Sequence, residues 1–166
     1  MPERAFIAIG SNIEPEKHLP LAVDRLSKLG SLVATSRVYE NPAVGDGLQP
    51  DFINVAALVL TCLQPLEVRQ KLRAIEASLG RVRTQDPYAA RTIDLDLCLF
   101  GSAVINTPDL TLPDPEITER AYLAVTLAEL APDMLHPVTG ERLADLAERL
   151  RQSTRLIFRT DVALVG

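Results

Sequence analysis

The chain predicts an α+β domain on an antiparallel sheet, and three observations predict it. Apolar, β-branched runs of strand length recur at 4–10, 32–40, 52–61 and 92–100. Helix-period stretches at 16–29 and 65–79 separate the first run from the second and the third from the fourth. Only a loop separates the second run from the third. That order is strand, helix, strand, strand, helix, strand, which is the split βαβ or ferredoxin-like order. Both helices then cover one face of the sheet and leave the other open.

Each element has a local reason. Residues 4–10, RAFIAIG, are apolar and stop at Gly10, Ser11 and Asn12, which favour a turn. In 16–29, Leu19, Val23, Leu26 and Leu29 share a helical face, and Gly30 suits a C-cap. Residues 32–40, LVATSRVYE, read as one strand. Residues 41–51, NPAVGDGLQPD, carry two prolines and two glycines and read as a long loop. FINVAALVLT, 52–61, is the next strand. The helix at 65–79 has Pro65 at its start and Gly80 after its end. Residues 81–91, RVRTQDPYAAR, form a second long loop that runs into the strand 92–100. After a proline-rich connection, helices are predicted at about 119–130 and 141–151, and RLIFRT ends as a last strand.

Length and composition bound the rest. The chain has 166 residues, 47% of them hydrophobic, which suits a single domain, 1–166, with a real core. The net charge of −5 argues against a nucleic-acid binder that relies on a broad basic surface. Cys62 and Cys98 lack paired spacing and read as reduced thiols behaving as small apolar groups in a cytoplasmic protein. The start, MPERAFIAIGSN, is too short in apolar residues for a signal peptide, and no run approaches a membrane span. His18 reads as solvated on a charged helix turn, and His136 as a structural loop residue.

The strand at 92–100 carries the chemistry. Ile93, Leu95, Leu97 and Leu99 alternate with Thr92, Asp94, Asp96 and Cys98, so the two aspartates share the open face. Carboxylates at about 5 Å repel by on the order of 3 kcal/mol at an effective dielectric of 20. A cation offsets this, and paired carboxylates plus ligand phosphates suit Mg²⁺. Arg81, Arg83 and Arg91 lie on or beside the adjoining loop, and arginine forks match phosphate oxygens. Carboxylates beside arginines are the parts of a phosphoryl-transfer site. A solvated salt-bridge cluster is the alternative. On the strand 52–61, Phe52 and Asn54 face the same side as the aspartates and offer a stacking ring and an amide for a heterocycle edge.

Together these stretches resemble the 6-hydroxymethyl-7,8-dihydropterin pyrophosphokinase family. The matching segments are AFIAIGSN, SRVYENPAVG, QPDFINVAALVLT, IEASLGRVR, AARTIDLDLCLFG, VINT, LTLP and LAPDMLHPVTGE, in family order over almost the whole chain. The resemblance implies a ferredoxin-like fold with a C-terminal helical extension. It implies that Asp94 and Asp96 hold two Mg²⁺ ions bridging the ATP triphosphate. Phe52 and Tyr122 would sandwich the pterin, Asn54 would bond its edge, and Asn41 with the backbone at Ala43, Val44 and Gly45 would complete that pocket. Arg81 and Arg91 would act on the phosphates beside the aspartates. Glu76, Arg83, Arg91, Leu97, Thr111 and Arg120 fall at nucleotide-site positions. The implied reaction is attack of the pterin hydroxymethyl oxygen on the β-phosphorus of ATP with release of AMP, by a monomer without nucleic-acid or membrane partners.

The chain departs from the family on the nucleotide side. Pro113-Asp114-Pro115 replaces a segment that usually holds histidine. Thr84, Pro87 and Asp109-Leu110 stand where basic residues are common, and Tyr88 replaces a tryptophan or similar ring. A paralogue that binds pterin or nucleotide without turnover is therefore a second reading. An RNA-binding sheet is a third, disfavoured by the acidic charge and by 4% aromatic residues.

Overall fold

A computed structural model of the chain describes residues 1–41, 51–81, 92–152 and 156–164. Of the predicted loops 41–51 and 81–91, residues 42–50 and 82–91 lie outside the described residues, and with them Ala43, Val44, Gly45, Arg83 and Arg91.

Strand β1 (Glu3–Ser11) runs through the middle of an antiparallel sheet. Helix α1 (Pro15–Arg25) and a 3₁₀ turn, Leu26–Lys28, lead to β2 (Ser31–Thr35) and β3 (Val38–Asn41). Strand β4 (Phe52–Thr61), helix α2 (Pro65–Ser78) and strand β5 (Asp94–Phe100) follow. A small hairpin, β6 (Ile105–Asn106) and β7 (Thr111–Leu112), precedes a 3₁₀ turn at Pro115–Thr118. Helices α3 (Ala121–Leu130) and α4 (Leu143–Arg151) and strand β8 (Ile157–Arg159) complete the order. The sheet runs β5-β1-β4-β3-β8, with β2 beside the far half of β4.

One face of the sheet packs as predicted. Ile7 and Ile9, Val55 and Ala57, and Leu95 and Leu97 meet Leu19, Ala22 and Val23 of α1 and Val68, Leu72 and Ile75 of α2 in one core. Helix α2 starts at Pro65, and the Glu67 carboxylate accepts from the Gln64 N–H at 3.0 Å. It is followed by Gly80 at φ 88°, a left-handed conformation that favours glycine.

The other face is not left open along its length. Phe6, Ala56, Leu58, Cys98 and Leu99 pack under α3 and α4 in a second core. Helix α3 is apolar nearly all round, AYLAVTLAEL, and such a helix is stable only when covered on most sides. The end of this face around Asp94, Asp96 and Phe52 keeps partial exposure, with Asn54 buried among them; Arg4 and Leu60 at its other end are exposed as well.

Four local expectations change. The predicted strand 32–40 breaks at Ser36, whose hydroxyl accepts the Ala56 N–H at 2.9 Å in place of a ladder carbonyl. The alternation on β5 fails after Leu97. Ile7 pairs with Leu97 but Phe6 with Leu99, so Cys98 is an extra residue and Leu99 turns to the second core rather than joining Leu95 and Leu97. His18 is buried, not solvated, with Nδ1 2.7 Å from the Ile13 carbonyl. Of the two free thiols, Cys98 is buried but Cys62 is exposed. His136 is structural: its Nδ1 accepts from the N–H groups of Val138 and Thr139 at 3.2 and 3.1 Å.

Candidate active site

The site is laid out by sheet register. On β1, Gly10 pairs with Asn54 on one side and Asp94 on the other, and Ala8 pairs with Ala56 and Asp96. The central strand therefore presents only a glycine and an alanine between the two functional edges. A Cβ on Gly10 would lie 2.9 Å from Asn54 Oδ1 and 3.8 Å from Phe52 Cδ1, so any side chain there has to displace Asn54. Asn54 Nδ2 donates to Asn41 Oδ1, and Asn41 faces Phe52 across the β3–β4 ladder. Three of the residues expected at a heterocycle thus stand together at one end of the sheet.

The carboxylates occupy the opposite edge. Asp94 and Asp96 share the site face, with side chains 23% and 40% exposed. Each has its own guanidinium. Arg81 Nη1 donates to Asp94 Oδ1 at 3.1 Å and to the Ile93 carbonyl at 2.8 Å. Arg73 Nη2 lies 3.6 Å from Asp96 Oδ1. Negative charge still exceeds positive. Burial first, and then the Asp94 charge, push the Asp96 carboxyl up to about 7 against the pull of Arg73, with Asp114 and Glu76 adding to the rise. Burial, with Asp94 among the contributors, also raises Asp114, although the Glu116 N–H it accepts at 2.9 Å works the other way.

Hard oxygen donors held at such a cost in repulsion fit a divalent cation. Among the described residues no group of three His, Cys, Asp or Glu side chains closes a cage around one. Two carboxylates that leave the remaining positions to phosphate and water suit Mg²⁺, which seldom uses an all-protein cage.

The other expected residues divide. Leu97 and Thr111 line a cavity of about 260 Å³ shared with Asp96, Asp114, Arg69 and Arg73. Glu76 is buried and accepts the Leu95 N–H at 2.7 Å and Arg73 Nη1 at 3.1 Å. It borders a second cavity, of about 450 Å³, with Arg69, Arg73 and Arg81. Arg120 stands just before α3, exposed, 4.0 Å from Glu116. Tyr122 is half-buried on α3, where burial and then the charge of Glu116 hold its hydroxyl above the ordinary tyrosine range. Sequence reasoning missed Arg69 and Arg73. Their i, i+4 spacing on α2 was visible, but on an amphipathic helix it reads as a solvated stripe.

Carboxylates flanked by guanidiniums on the edge strand β5, and an asparagine–aromatic pair two strands in on β4, have the parts of a phosphoryl-transfer type of site. The sequence profile of the family described as 7,8-dihydro-6-hydroxymethylpterin-pyrophosphokinase matches residues 6–132, and the chain belongs to that family. The 2-amino-4-hydroxy-6-hydroxymethyldihydropteridine pyrophosphokinase of Pseudomonas aeruginosa is 38% identical over 149 residues, covering 88% of this chain and 91% of that one. The Haemophilus influenzae protein of the same name is 38% identical over 136 residues, covering 80% and 84%. Among solved structures, the Plasmodium falciparum HPPK-DHPS superposes with a TM-score of 0.73 at 15% identity, over 92% of this chain. This chain spans 45% of that longer chain, and the likeness bears on the fold alone.

Proposed function

We propose that this chain transfers pyrophosphate from ATP to 6-hydroxymethyl-7,8-dihydropterin in folate biosynthesis, as a cytoplasmic, Mg²⁺-dependent monomer with a ferredoxin-like core and a C-terminal helical extension. The observation that carries the reading is the rung Asn54–Gly10–Asp94. It sets a heterocycle-edge amide and a metal-type carboxylate on one bare floor.

In this reading the pterin lies over Gly10, stacked between Phe52 and Tyr122, with its edge on Asn54 and Asn41 and on the backbone at Ala43, Val44 and Gly45. Its hydroxymethyl arm then points along the floor toward the carboxylates. The oxygen of that arm bonds to the β-phosphorus of ATP, the bond from that phosphorus to the α,β-bridging oxygen breaks, and AMP leaves. The hydroxyl proton departs with no base assigned. Asp94 and Asp96 would hold two Mg²⁺ ions, which supply charge neutralisation on the triphosphate. Arg81, Arg83 and Arg91 orient the phosphates, and positioning with electrostatic stabilisation carries the step. Leu97, Thr111 and Arg120 serve the nucleoside end. Glu76 serves it by fixing Leu95 and Arg73.

A second reading, a binding paralogue without turnover, is favoured by one observation. The cavity bordered by Thr111 holds three carboxylates, Asp96, Asp109 and Asp114, against two guanidiniums, Arg69 and Arg73. An assay of AMP release from ATP, Mg²⁺ and the pterin decides between them. Release that requires the pterin supports the enzyme; tight pterin binding with no AMP supports the paralogue.

A further inference from the structure

Among the described cations, Arg73 and Arg81 both reach the crowded carboxylates from a cavity wall, and of the two Arg73 borders both cavities. Its Nη1 is anchored, donating to the Leu95 carbonyl at 3.1 Å and to both Glu76 oxygens at 3.1 and 3.2 Å. Its Nη2 points at Asp96 Oδ1 from 3.6 Å, beyond hydrogen-bond length. The side chain is 30% exposed and borders both cavities, whereas its anchor Glu76 is 1% exposed. One end of the guanidinium is therefore fixed to α2 and β5, and the other makes a loose pair that can exchange partners without moving the arm.

We propose that Arg73 is a nucleotide-binding residue of this chain, with Nη2 pairing Asp96 in the free protein and a phosphate oxygen once Mg²⁺ has taken that carboxylate. The proposal rests on the pyrophosphokinase reading. It follows from charge. The smaller cavity offers a polyphosphate three carboxylates, so an anion needs every cation on its wall, and a guanidinium held by a buried carboxylate is already oriented. The same guanidinium competes with Mg²⁺ for Asp96. Its removal therefore has effects of opposite sign on the two ligands.

The test is calorimetric titration of the full chain and of Arg73→Gln and Arg73→Lys. One titration uses Mg²⁺ alone, and the other uses a non-hydrolysable ATP analogue at saturating Mg²⁺. For Arg73→Gln, analogue affinity falls by about tenfold, the scale of one lost charge-assisted hydrogen bond. Affinity for Mg²⁺ alone rises, by about threefold or more, as a competing charge is removed. Arg73→Lys keeps the charge and stays nearer the wild type in both. A merely structural ion pair predicts that both affinities fall together with the unfolding temperature. That result overturns the proposal, as does no change in either titration. A wild type that binds the pterin but no analogue fails the pyrophosphokinase reading instead, and is distinguished by that.

Discussion

Asn54 and Asp94 stand on one rung of the sheet, on opposite sides of Gly10. Neighbouring strands lie about 4.8 Å apart, so the two backbones are separated by roughly 10 Å, and Gly10 adds no side chain of its own where Asn54 Oδ1 and the Phe52 ring approach it. In the proposed reading a flat heterocycle lies on the sheet beside this rung.

Gly10→Ala tests the floor directly. The new methyl would meet Asn54 Oδ1 at 2.9 Å, closer than real Cβ contacts allow. Asn54 has to shift from its bond with Asn41. Overpacking of this kind costs about 1–3 kcal/mol, and most of it should fall on the pterin complex. Pterin affinity is expected to drop by about tenfold or more while binding of the ATP analogue changes little. Equal loss for both ligands would argue that the variant disturbs the whole sheet.

Asn54→Ala is expected to weaken pterin binding far more than ATP binding. A heterocycle edge left without its partner costs about 1–3 kcal/mol, or roughly 5- to 150-fold. Among the described residues the protein itself loses the Asn41 bond, about 1 kcal/mol, which thermal unfolding would register. Calorimetry with each substrate separates the two losses.

Much of this was legible in the sequence, for a reason specific to strands. Alternation assigns Phe52 and Asn54 to the face of Asp94 and Asp96 as soon as Ile53, Val55, Leu95 and Leu97 are given to the core. Alternation cannot foresee a bulge, so Leu99 was assigned to the wrong face. It says equally little about which helices arrive from later in the chain, so the cover provided by α3 and α4 was missed. Arg73 was hidden because its role depends on Glu76, Leu95 and Asp96 meeting in space. His18 was misread because a charged helix turn gives no sign that its ring reaches back to the Ile13 carbonyl.

Asp96 couples stability to pH. Its folded pKa, about 7, lies above its ordinary value of 3.8. Between those values the folded protein holds a proton that the unfolded chain has released, so stability falls as pH rises through the window. The side chain is 40% exposed, and with solvent screening the effect is about 1 kcal/mol. Asp96→Asn should lose this slope and be more stable than the wild type at pH 8 without metal, yet lose turnover by about 100-fold or more. Chemical denaturation at pH 5 and pH 8 checks the sign. A wild type that gains stability over that range relative to Asp96→Asn would contradict the assignment.

Asp114 has two jobs that a pair of variants separates. Its carboxylate caps the turn Pro115–Thr118 by accepting the Glu116 N–H at 2.9 Å, and it also borders the cavity that contains Asp96. At about 6 Å and an effective dielectric of 20, a carboxylate repels a phosphate charge by on the order of 3 kcal/mol before Mg²⁺ and salt reduce it. Asp114→Asn keeps an oxygen for the cap and removes the charge. Asp114→His replaces the charge with a group that can donate to phosphate. Both should tighten ATP, by roughly five- to tenfold at low salt and less at high salt, with little change for the pterin. The Asn variant should unfold at nearly the wild-type temperature, because its amide oxygen can still cap. ATP affinity measured for all three proteins at two salt concentrations decides the matter. If neither variant binds ATP more tightly at low salt, the carboxylate does not oppose the nucleotide. The reading of this chain as an inactive paralogue then loses its main support.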